Sequence, residues 1–95
     1  MRLYTDEIIN AVSLHVSERR GIAPTDVEVQ LSWDEEYGYT AEIWVAGRSQ
    51  YLLQANLLEA IEQYLFSQQN LRVFRSDITL GLDEEEGEFW AEFPA

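Results

Sequence analysis

Residues 33–45 read Trp33-Asp34-Glu35-Glu36-Tyr37-Gly38-Tyr39-Thr40-Ala41-Glu42-Ile43-Trp44-Val45. This stretch contains the end of one strand pattern, an acidic turn and a second strand pattern. The run from Val27 to Trp33 alternates between apolar and polar side chains. The run from Tyr39 to Val45 follows the same pattern, except that Trp44 stands at a position where the pattern is otherwise polar. Alternation with a period of two is typical of a strand with one buried face. Gly38 tolerates the positive φ that tight turns need. The stretch therefore predicts an antiparallel β-hairpin with an acidic turn.

A weaker copy of this hairpin runs from Leu82 to Phe93 and repeats the Asp-Glu-Glu-X-Gly turn. Both hairpins also carry an Ala-Glu pair after the turn, Ala41-Glu42 in the first and Ala91-Glu92 in the second. Aligning these two pairs requires one inserted residue in the second hairpin. Each hairpin follows a helical pattern at a similar distance. Thr5 lies 29 residues before Asp34, and Asn56 lies 27 residues before Asp83. Recurrence of both the spacing and the turn chemistry predicts two α-β-β units.

Two helices and five strands are predicted along the chain. The helices cover Thr5–Arg20 and Asn56–Gln69, and the strands cover Val27–Trp33, Tyr39–Val45, Arg48–Leu53, Asp77–Leu82 and Glu88–Phe93. Each helix carries one apolar stripe, so both would cover one face of the sheet. We predict an α+β fold of order α-β-β-β-α-β-β, with the third strand inserted between the two units. The sheet would be five-stranded and mostly antiparallel, and residues 1–95 would form a single domain.

The chain is strongly acidic, with 18 acidic residues, six arginines, no lysine and a net charge of −12. Such a surface repels phosphate groups, so we expect no direct binding to nucleic acid or to anionic membranes. No apolar run approaches the roughly 20 residues of a membrane span. The favoured explanation of this net charge is that it keeps the protein soluble. The alternatives are binding to a basic partner and mimicry of nucleic acid towards such a partner.

Few residues in the chain are suited to catalysis. Cysteine is absent, which excludes a cysteine nucleophile and a thiolate zinc site. His15 is the only histidine, and a hydrogen-bonded histidine at the edge of the apolar stripe describes it better than a metal ligand. No serine lies in a nucleophile-elbow motif, and no glycine-rich phosphate loop is present. We therefore predict a non-enzymatic protein without a cofactor.

The two acidic turns, residues 34–38 and 83–87, are candidate cation sites. Carboxylate oxygens are the ligands that Ca²⁺ and Mg²⁺ prefer in proteins. The candidate ligands are Asp34, Glu35 and Glu36 in the first turn and Asp83, Glu84 and Glu85 in the second. Their spacing is not that of an EF-hand loop. Solvated turns that discourage edge pairing of strands are the favoured interpretation, and a divalent-metal-binding protein is the alternative.

Three aromatic residues are predicted on the outer face of the sheet, away from the helices. If Ile43 faces the core, alternation places Trp44 outside, and similar arguments apply to Trp90 and Tyr51. Clustered exposed Trp and Tyr residues mark protein interfaces. Trp90 would alternatively cover Gly81 on the neighbouring strand. We predict an interaction surface of Trp44, Trp90 and Tyr51, which serves binding to a second copy as a homodimer or to another protein.

Several motifs at fixed separation resemble a known family. These motifs are Tyr37-Gly38, Ala41-Glu42, Gly47-Arg48-Ser49-Gln50 and Ala55-Asn56-Leu57-Leu58-Glu59-Ala60-Ile61. In them the chain resembles the YxcD-like family of small, acidic, uncharacterised proteins from Bacillus-type bacteria. The resemblance covers most of the chain and implies a bacterial, cytoplasmic protein. It supplies no catalytic residues.

Overall fold

The computed structural model describes residues 1–94, and Ala95, the last residue of the predicted domain, lies outside the described residues. The strands are β1 (Arg2–Tyr4), β2 (Val27–Asp34), β3 (Gly38–Val45), β4 (Arg48–Leu52), β5 (Thr79–Asp83) and β6 (Glu88–Glu92). The helices are α1 (Thr5–Arg20) and α2 (Gln54–Gln69). Single 3₁₀ turns at Pro24–Asp26 and Arg75–Asp77 precede β2 and β5. The predicted α+β class is confirmed.

The strands form two separate three-stranded antiparallel sheets, with strand orders β1-β6-β5 and β2-β3-β4. The prediction of one five-stranded sheet is therefore wrong. Side chains, rather than a backbone ladder, join β2 and β3 to β5 and β6. The ring of Tyr39 packs edge-on against Phe89 at a centroid distance of 6.4 Å. Leu31 and Leu80 each pack against the buried residues of both sheets. Alternation identified the strands, but it carries no information on which edges pair.

The strand β4, which the sequence pattern placed as an insertion, is the first strand of the second repeat. The described chain divides into β1-α1-β2-β3 and β4-α2-β5-β6, each with a 3₁₀ turn after its helix. The first strand of each repeat pairs with the last strand of the other, because β1 pairs with β6 and β4 pairs with β3. The repeat is thus β-α-β-β and not α-β-β. The strand β1 was missed because three residues are too few to show an alternation.

At both helix starts a side chain of the first turn accepts a hydrogen bond from the N–H of the residue that precedes the helix. Thr5 is the first helical residue of α1 rather than its N-cap, and Glu7 Oε1 accepts a hydrogen bond from the Tyr4 N–H at 3.3 Å. The helix α2 begins two residues before Asn56, whose Oδ1 accepts from the Leu53 N–H at 3.3 Å. The Thr5 hydroxyl instead accepts a hydrogen bond from the backbone of β6 at 2.9 Å, which ties α1 to the distant C-terminal strand.

The core lies between the helices and the inner faces of the two sheets. One cluster joins both helices to the β1-β6-β5 sheet, and its members include Leu3, Ile8, Ile61, Ala91 and Phe93. The second cluster joins both helices to the β2-β3-β4 sheet, and its members include Val12, Ala41, Ile43, Leu52 and Leu57. The opposite face of each sheet is left uncovered by the helices. Among residues 1–94, no helix is long and apolar enough to cross a membrane.

Candidate functional site on the outer face of the β2-β3-β4 sheet

The register of the β2-β3-β4 sheet places Trp44 and Tyr51 on its outer face. Ala41 and Ile43 are at most 1% exposed and belong to the core, so the pleat directs Trp44 to the opposite side. Trp44 pairs with Ser49 across the β3–β4 ladder, and Glu42 pairs with Tyr51. Trp44 and Tyr51 are therefore diagonal neighbours, which places their Cα atoms about 7–8 Å apart.

A cavity of about 430 Å³ opens on this outer face. It is lined by Asp34, Tyr37, Thr40, Tyr51 and Leu53. Tyr51, Tyr37 and Leu53 are 64%, 60% and 52% exposed, whereas Thr40 is 8% exposed. Three exposed apolar or aromatic side chains thus surround a concave site on this face. We call this cavity, together with Trp44, the outer-face site.

Three members of the outer-face site, Tyr37, Thr40 and Leu53, were missed by the sequence argument. Tyr37 was treated only as part of an acidic turn, and Leu53 only as the end of a strand. A signal for Leu53 was present, because Tyr51 and Leu53 are two residues apart and share a face of the predicted strand. No local signal shows that the turn residue Tyr37 lines the same cavity as Tyr51, because their placement depends on the pairing of β2, β3 and β4.

Trp90 lies on the other sheet and covers Gly81, its cross-strand partner. A Cβ atom built on Gly81 would lie 1.9 Å from Trp90 Cζ2, so the ring occupies the space of a missing side chain. The Arg2 guanidinium lies 4.2 Å from the ring centroid. The hydrogen bond from Arg2 to Glu92, 3.1 Å long, raises the pKa of Arg2 above its ordinary value. Trp90 is therefore half-buried between groups of its own sheet.

Trp90 and Trp44 belong to different sheets. Trp90 shares a small cavity with Thr40, near the start of β3. Trp44 lies four residues farther along the same strand, a distance of about 13 Å at 3.3 Å per residue. The structure therefore makes Trp44 and Tyr51 diagonal neighbours on one sheet, whereas Trp90 lies on the other sheet, beside Thr40.

The aspartates of the acidic turns cap the turns themselves. Asp34 Oδ1 accepts a hydrogen bond from the Tyr37 N–H at 2.6 Å. Asp83 Oδ1 accepts from the N–H groups of Glu85 and Glu86 at 3.1 and 3.3 Å. Within the described part of the chain, no three Asp, Glu or His side chains are grouped in a way that could hold a metal ion. The capping bonds account for the aspartates, and the glutamates of both turns are exposed.

His15 lies between the two helices and is 4% exposed. Its Nδ1 lies 2.9 Å from Gln63 Oε1, and its Nε2 lies 3.5 Å from Arg19 Nη1 and 4.0 Å from Glu59 Oε1. Both ring nitrogens thus face polar groups of α1 and α2, and none of these partners is a hydroxyl that an imidazole base would activate. This arrangement fits a histidine that links the helices.

Comparison with known proteins gives the family. The sequence pattern of the family described as "Protein of unknown function (DUF2653)" matches residues 1–85. The chain belongs to the DUF2653 family. It is 28% identical over 86 residues to a protein described as "Uncharacterized protein YxcD" from Bacillus subtilis (strain 168), and the match covers 90% of this chain and 84% of that relative. The predicted YxcD-like membership is confirmed. No solved structure matches the chain.

Proposed function

We propose that this DUF2653 protein is a non-enzymatic interaction module that binds a basic segment of another protein at the outer-face site. The observation that carries the proposal is the cavity of about 430 Å³, which is lined by the exposed side chains of Tyr37, Tyr51 and Leu53. Exposed Tyr side chains around a concave site are typical of surfaces that anchor a protein partner.

The negative charge of this face supports a basic partner. Strand alternation places Glu28, Glu42 and Asp34 on the same outer face as Trp44, and Glu35 and Glu36 follow directly in the turn. A second copy docked on this face would bring carboxylates against carboxylates, which costs free energy. A partner segment with Arg or Lys side chains would instead pair with them and stack on the aromatic rings.

The backbone of the edge strand β4 can form hydrogen bonds with such a segment. Among the described strands, β4 pairs with β3 alone, so its second edge carries unpaired N–H and C=O groups. An extended peptide can add to such an edge by main-chain hydrogen bonds, while alternate side chains enter adjacent pockets. A strand added beside β4 would place every second side chain next to Tyr51 and Leu53.

The test uses a synthetic extended peptide of alternating arginine and apolar residues, followed by amide NMR of the labelled protein. We expect saturable shifts at Tyr51, Leu53 and residues 37–40, and weaker binding as salt is raised, because salt screens charge pairs. The matched control is the same peptide with glutamate in place of arginine, which should not bind.

The variants Tyr51→Ser and Trp44→Ser separate this proposal from general attraction to an acidic surface. Both side chains are exposed or half-buried, so the fold should persist. Docking at the outer-face site predicts at least about a tenfold weaker binding for Tyr51→Ser. Unchanged binding in both variants would favour an acidic mimic of nucleic acid, which needs charge alone. The absence of any shift at low salt would refute the proposal.

A further inference from the structure

A groove of about 500 Å³ lies on the helical side of the molecule, remote from the outer-face site. It is formed by α1, the second half of α2 and the segment 72–74 that follows α2. Phe66 and Phe74 line it and are 54% and 57% exposed, and Val73 is buried at its base. Two exposed phenylalanines beside one groove form an apolar patch of the kind that marks an interaction site.

Two opposite charges line the same groove. Glu18 and Arg72 are both lining residues, and neither forms an ion pair within residues 1–94. The Arg72 guanidinium lies 5.0 Å from the ring centroid of Phe66. The groove therefore presents one cation and one anion that form no ion pair within the described residues, together with two exposed phenylalanines.

The remaining charged residues at the groove pair within the chain. Glu62 lines the groove and pairs with Arg75 at 2.9 Å. Arg75 also lies 3.6 Å from Glu59. With Glu18 and Arg72, this region holds three glutamates and two arginines, a sum of −1, whereas the whole chain carries a net charge of −12. A highly acidic protein repels its own copies over most of its surface. This region carries a net charge of only −1, so it opposes the approach of a second copy less than the rest of the surface does.

We propose that the groove binds a second copy of the chain in an isologous dimer, with Arg72 of each protomer paired to Glu18 of its partner. In a two-fold interface each surface patch meets itself, so a groove with one cation and one anion is self-complementary. A purely acidic or purely basic partner would match only one of the two charges. Phe66 and Phe74 of both copies would form the apolar centre of the interface.

This dimer uses a different face from the outer-face site, so the two proposals can be tested independently. The experiment is sedimentation equilibrium of the full chain from micromolar to millimolar concentration at low salt. Arg72→Glu and Glu18→Arg each place like charges across the two-fold axis. We expect either single variant to raise the dimer dissociation constant at least about 100-fold. The Glu18→Arg/Arg72→Glu double variant restores opposite charges and should return to within about tenfold of the wild type.

The control variant is Arg48→Glu, which changes the net charge as much as Arg72→Glu does but lies on exposed β4. It should dimerise like the wild type, and far-UV circular dichroism of every variant reports whether the fold is kept. A monomeric wild type over the whole range would overturn the proposal. So would a dimer that persists in Arg72→Glu, or a folded double variant that stays as weak as the single variants.

Discussion

The contact between Gly81 and Trp90 gives the sharpest test of the fold. Gly81→Ala adds a single methyl group, and its Cβ would lie within 2.5 Å of three atoms of the Trp90 ring. The φ of Gly81 is not positive, so alanine is compatible with the backbone itself. The three nearest atoms all belong to the Trp90 ring, which has to move away from Gly81 to make room for the methyl group.

The size of the effect follows from the burial of the ring. A tryptophan buries about 150–250 Å² when it is well packed, and displacing the half-buried Trp90 exposes about 100 Å² of this. At about 25 cal/mol per Å² the displacement costs about 2.5 kcal/mol. Replacing Gly by Ala recovers about 0.4–1 kcal/mol by restricting the unfolded chain. We therefore expect Gly81→Ala to lower the free energy of unfolding by about 2 kcal/mol.

The assay is urea unfolding followed by far-UV circular dichroism, in which a loss of this size lowers the midpoint by about 1–2 M. A double-mutant cycle with Trp90→Ala isolates the contact. In the Trp90→Ala background the methyl group meets no ring, so Gly81→Ala should be neutral or slightly stabilising. An equal cost in both backgrounds, or a cost below about 0.5 kcal/mol in the wild type, would contradict the steric argument.

Two further predictions concern the start of α1 and the acidic turns. Thr5→Val removes the hydroxyl that accepts the 2.9 Å hydrogen bond from the Phe89 N–H. It should cost about 1–3 kcal/mol in urea unfolding because it leaves a part-buried donor unpaired. Thr5→Ser keeps the acceptor and is the control, so equal stability of the two variants would contradict this role. Titration with Ca²⁺ or Mg²⁺, followed by amide NMR, should leave both acidic turns unshifted, since their aspartates already cap the turns. Saturable shifts there at low millimolar metal would support the metal-binding alternative.

The features of the outer-face site were accessible to sequence reasoning to different degrees. The outward direction of Trp44 follows from alternation along β3, because adjacent residues of a strand point to opposite faces. The position of Trp90 does not follow in the same way. The alternation gives its direction but not the sheet to which its strand belongs. The cavity beside Tyr51 requires β2, β3 and β4 to be in register, and no local pattern specifies such a register.

Local interactions account for what could be read directly from the chain. The two helices, their C-terminal ends and both hairpins follow from periodicity and from turn and cap residues that lie within a few residues of one another. The chain folds so that Gly21 ends α1 with a φ of 66°, as its position after two arginines predicts. Long-range pairing decides the remainder. The strand β1 exists only because β6, some 90 residues away, supplies its partner. The division into two sheets and the reciprocal exchange of first strands between the repeats likewise depend on contacts between distant segments, which no local sequence pattern encodes.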